Sequence, residues 1–181
     1  MKIPFDATYR CLAFEAEGRW ITGIARSDLR TGSGNVLSSP REGSYDPAGL
    51  TAPSCRQSSL EAALWHPAPP DVLVVASCEE LDHIPPVIID PLPVIVIALA
   101  GQRIWRDVPS DLGKLCHERE IVAEPSRDMT PLMLRAWQMA RIVEAMLHSV
   151  WVADDLVRFS RTPQALRLRK FHHHKRRSRL H

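Results

Sequence analysis

Apolar and polar positions divide the chain into a strand-like start, a featureless stretch, an apolar body and a charged end. Residues 8–16 (TYRCLAFEA) and 20–26 (WITGIAR) are rich in aromatic and β-branched side chains, with Glu17-Gly18 between them as a hairpin turn. Arg10 shares a face with Leu12 and Phe14, so the alternation is imperfect. Residues 31–58 carry Ser, Gly, Pro, Thr and Asn without hydrophobic period, which predicts a loop or linker. Residues 59–64 read as a short helix. The continuous apolar run 71–76 (DVLVVA) has the pattern of a strand covered on both faces. Residues 87–89, 93–99 and 120–123 predict further short strands, and 102–117 a mixed, helical region interrupted by Pro109.

The best-marked element is a helix. Thr130 is a good N-cap, Pro131 suits the first helical position, and Asp128 complements the positive end of the dipole. From Leu132 to about Val157 the polar residues Arg135, Gln138, Arg141, Glu144 and His148 form one narrow stripe. The apolar remainder is wider than packing on one sheet face requires. It predicts either a helix sandwiched inside the fold or a surface for self-association or a protein partner. The sandwiched reading carries about twice the weight of the other.

These elements predict an α/β protein with a short, mostly parallel sheet and flanking helices. A small β-hairpin unit (1–30) precedes it, joined by a flexible linker (31–58) to the body (59–157), and a basic, disordered tail (158–181) follows.

Charge sharpens the division. Residues 158–181 hold nine Lys/Arg and no Asp/Glu, leaving 14 basic and 21 acidic residues in the body. The net charge of +2 is thus an acidic body joined to a cationic tail. Cys11, Cys55, Cys78 and Cys116 include no Cys-x-x-Cys pair and read as reduced thiols of a cytoplasmic protein. The segment MKIPFDATYR lacks the apolar core of a secretory signal. The most hydrophobic stretch, 84–101, contains Asp90 and four prolines, which argues against a membrane-spanning helix.

Candidate chemistry is sparse. Ser77, Cys78, Asp82 and His83 follow the 71–76 strand, at the strand end where open parallel sheets bind ligands. A hydroxyl or thiol near a histidine could form a nucleophile–base pair. Glu79 and Glu80 beside Cys78 oppose thiol activation, however, and no nucleophile-elbow motif is present. Cys116-His117 with Cys78 and His83 matches no zinc spacing, so no metal or other cofactor is expected. His172, His173 and His174 stand among cations and add charge to the tail below about pH 6.5. In the tail, Arg167, Arg169, Lys170, Lys175, Arg176, Arg177 and Arg179 are the candidates for nonspecific nucleic-acid contact through phosphates. A solvated end docking on the acidic body is the equally weighted alternative.

The order of short helix, PPDVLVVAS, PLPVIVIALAG and EIVAEPS before a long helix resembles the second half of a response-regulator receiver domain over residues 59–150. The resemblance implies a phosphate-accepting aspartate where Ala76 and Ser77 stand, and a Thr or Ser where Ala98 stands. It also implies a Lys-Pro pair where Glu124-Pro125 stands. On that resemblance the phosphorylation chemistry is missing and the scaffold serves protein contacts. The resulting expectation is a non-catalytic regulatory or adaptor protein. The alternatives are a small α/β enzyme with its site near Ser77 to His83, or a degenerate reading frame with little selected function.

Overall fold

Tyr9, Cys11, Leu12, Ala13 and Ala25 are all fully buried, because the first two strands lie inside the fold. The structure is a computed structural model that describes residues 2–17, 20–31, 37–43, 60, 63–65, 68–85, 89–123 and 129–160. Its strands are β1 (Thr8–Glu17), β2 (Trp20–Arg30), β3 (Leu37–Gly43), β4 (Val72–Val75) and β5 (Val94–Val96). Its helices are α1 (Cys78–Asp82), α2 (Ile97–Trp105), α3 (Leu112–Glu118), α4 (Pro131–His148) and α5 (Asp154–Phe159).

The strands form one five-stranded sheet in the order β3-β2-β1-β4-β5. The β1–β2 hairpin and the β2–β3 pair are antiparallel, whereas β1, β4 and β5 run parallel. The α/β class, the parallel strands with flanking helices and the N-terminal hairpin are therefore all present.

Two expectations about chain organisation need correction. The hairpin is not packed apart from the body, since β1 pairs with β4 from Tyr9↔Val72 to Cys11↔Val74. The predicted linker contributes β3, which pairs with β2 from Ile24↔Gly43 to Arg30↔Leu37. An edge strand is held by main-chain hydrogen bonds along one side and needs no apolar alternation. It also tolerates a proline such as Pro40. The remainder of that predicted linker, residues 32–36 and 44–58, lies outside the described residues, as do tail residues 161–181.

Alternation sends Tyr9, Cys11, Ala13, Ala25, Leu29, Val72, Val74 and Ile95 to one face of the sheet. There they meet Leu132, Ala136, Met139, Ala140, Val143 and Met146 of α4. Thr130 caps this helix by accepting from Met133 N–H at 3.2 Å, and Pro131 stands at its start. The helix stops at His148, short of the expected Val157, and α5 begins after a break at 149–153. The wide apolar surface of α4 is used internally, against the sheet and against α2 and α3. The opposite sheet face places Leu12, Phe14, Ile24, Leu73, Val75 and Val96 against Leu60, Leu64, Ile84 and Ile89.

Two short runs depart from the strand prediction. The 93–99 run is strand only to Val96, because Ile97 starts α2. Residues 121–123 are irregular. Ser160 secures the end of β5: its Oγ accepts from Val96 N–H at 2.8 Å and donates to Leu156 O. Among the described residues no helix is long and apolar enough to cross a membrane.

Candidate functional site

Strand β4 ends at Val75, one position past the Cys11↔Val74 pair, while β1 runs on to Glu17, and α4 begins against that later part of β1. Gly23, opposite Glu15 in the hairpin register, marks the approach. A Cβ there would lie 3.1 Å from Leu132 Cδ2 and 3.2 Å from Glu15 Oε2. Glycine thus lets the first turn of α4 descend onto the strand end. Glu15 is exposed at this point, on the same sheet face as α4.

Beyond β4 the chain turns at Ala76-Ser77 into α1. Ser77 is its N-cap and accepts from Glu80 N–H at 3.3 Å. Glu80 turns back under its own helix, where Oε2 accepts from Ala76 N–H at 2.8 Å. Its Oε1 meets Nη2 of Arg135, from α4, at 2.5 Å. Burial pushes the Glu80 carboxyl above its ordinary 4.5, against the opposing pull of Arg135, the Ala76 N–H and His83.

The residues singled out from sequence share this turn but do not form a reacting pair. Cys78 is half-buried, and its thiol is raised above 9.0 by burial, then by Asp82 and Glu79. It is therefore protonated at neutral pH and a poor nucleophile. Among the described residues no hydrogen bond joins His83 to Ser77 or Cys78. The His83 ring instead stands 6.5 Å from Phe14, tilted by 50°. Asp82 and Glu79 face solvent. Cys116 and His117 lie on α3, and Cys116 is buried with a thiol pushed up to about 11 by burial. Among the described residues no three His, Cys, Asp or Glu side chains converge as a metal site. The tail candidates Arg167, Arg169, Lys170, Lys175, Arg176, Arg177 and Arg179 lie outside the described residues.

Sequence reasoning missed Glu15, Glu80 and Arg135 as members of the site. The available signal was Arg135 at the start of the polar stripe on α4, in the first turns of a well-capped helix.

No family model matches the chain, and no curated protein matches its sequence. Its fold is similar to that of exonuclease X, solved in complex with 5′ overhanging duplex DNA. The TM-score is 0.57 at 13% identity, over 84% of this chain and 99% of that one. That coverage is wider than residues 59–150, to which the receiver-like reading was confined. The likeness overturns the expectation of a non-catalytic regulatory or adaptor protein, because the similar structure is a DNA-processing enzyme. The alternative of a small α/β enzyme fits this fold better, and at 13% identity the likeness reaches the fold alone.

Proposed function

We propose that the protein is a nucleic-acid-processing enzyme of the nuclease class, with DNA as its substrate and its site at the ends of β1 and β4. The observation that carries this reading is the backbone likeness to exonuclease X over almost the whole of that chain. Strand ends of parallel sheets are the places where such folds hold ligands; past the end of β4 Glu80 joins Ser77 and Arg135, and Glu15 lies further along β1, opposite Gly23.

Hydrolysis of a phosphodiester adds water to phosphorus and releases a sugar oxygen as an alcohol. Glu15 is the exposed carboxylate at the end of β1 and suits the role of accepting the water proton. The nine cations of residues 158–181 add sequence-independent attraction for phosphates.

The test is digestion of end-labelled DNA by the full chain, on blunt and 5′-overhanging duplexes and on single strands, with and without added magnesium. The reading expects time-dependent shortening of at least one substrate. Intact substrates at micromolar protein, under conditions where binding is seen, would refute it.

A further inference from the structure

The Glu80–Arg135 pair is incompletely used. Arg10, on the opposite sheet face, shows what a purely structural arginine looks like in this fold. Its Nε and Nη2 bond Asp28, its Nη1 bonds the carbonyls of Leu64 and Ala68, and it is 2% exposed. Arg135 differs on each count. Only Nη2 has a partner among the described residues, Nε is buried with no acceptor, and the side chain is 43% exposed. A guanidinium offers five donors, and a buried donor without an acceptor is disfavoured. Glu80 therefore fixes one corner of Arg135 and leaves the rest of the fork free.

Ser77 adds a second group. Its Oγ accepts from Glu80 N–H, and its own proton has no acceptor among the described residues. One buried carboxylate residue thus holds two donors, a planar cation and a hydroxyl, where β4 ends. Planar forks with spare donors match the oxygens of a phosphate.

We infer that Arg135, held by Glu80 and accompanied by the Ser77 hydroxyl, is a binding site for the phosphate of a nucleotide unit. The inference rests on the proposed function and deepens it by naming the group that receives the substrate's phosphate. It adds no chemical step. Arg135 binds and orients the phosphate, and Glu80 positions Arg135.

The experiment is calorimetric titration of the full chain with thymidine 5′-monophosphate and with thymidine, at 0.3 M salt to screen the tail. Wild type, Arg135→Ala and Arg135→Lys are compared, each with its melting temperature. The expected result is that wild type prefers the monophosphate. Arg135→Ala loses about tenfold or more, as expected for a charge-assisted hydrogen bond, and Arg135→Lys falls between. The lysine variant keeps the charge and covers the case in which the alanine variant fails to fold. Equal binding of monophosphate and nucleoside by wild type would overturn the inference. Monophosphate binding within twofold across the folded variants would also overturn it. Phosphate binding that depends on Arg135 without any DNA cleavage would sustain this inference while refuting the nuclease reading. Cleavage with an unchanged KM in Arg135→Ala would do the reverse.

Discussion

Arg10 and Asp28 face each other directly across the β1–β2 register and join in a two-point pair, Nε to Oδ1 at 2.8 Å and Nη2 to Oδ2 at 2.9 Å. The same guanidinium reaches the carbonyls of Leu64 and Ala68, so it ties the hairpin to the segment that covers that sheet face. Such a pair contributes little beyond an apolar replacement, but removing one partner strands a buried charge. Asp28→Ala is expected to lower stability by about 3 kcal/mol. Urea unfolding measures it, and a loss under about 1 kcal/mol would show that water reaches Arg10.

Gly101 is buried within α2, where alanine would ordinarily stabilise a helix by about 1 kcal/mol. Here a Cβ would lie 2.8 Å from Val108 Cγ2 and 3.2 Å from Met146 Cε, side chains that close the helix onto α4. Overpacking of this kind costs about 1–3 kcal/mol. Gly101→Ala is expected to lower the melting temperature; a rise would show that Val108 yields freely.

Glu80 makes stability depend on pH in a definite direction. Its folded-state value is raised above 4.5 by burial, so the folded protein holds this proton to higher pH than the unfolded chain. The stabilisation is fully present below 4.5 and is lost as pH rises through the folded-state value. Glu80→Gln does not titrate. The stability of wild type relative to Glu80→Gln should therefore fall as pH rises above 4.5 in paired urea melts. A constant difference, or a rise, would mean that Arg135 and the Ala76 N–H outweigh burial.

The fold was legible wherever burial leaves a pattern. The 71–76 run announced β4, and Thr130-Pro131 announced the start of α4, because a two-faced strand and a capped helix each impose local rules. Strand β3 was not legible, since an edge strand is fixed by backbone pairing with β2 rather than by its own side chains. Arg10 looked like an exception to alternation, and the structure buries it against the partly exposed Asp28, 18 positions away. The site was half legible. The turn at Ser77 to His83 stood out because it follows β4. Arg135 did not, because it joins Glu80 across 55 positions, and a stripe of polar residues does not say which one faces the strand end. The receiver-like order of short strands is generic to parallel α/β folds and does not register the hairpin and β3 that complete the sheet.

The central claim is hydrolysis of nucleic acid at the end of β1, and the most direct measurement is the rate of nucleotide release from a labelled 5′-overhanging duplex. Wild type and Glu15→Gln, purified in parallel and matched in melting temperature, are compared across a range of enzyme concentrations. The account predicts release proportional to wild-type enzyme and a loss of about a hundredfold or more in Glu15→Gln, the size expected when a proton acceptor is removed. Equal release by the two proteins would assign the activity to a contaminant or to another site, and no release by either would contradict the account.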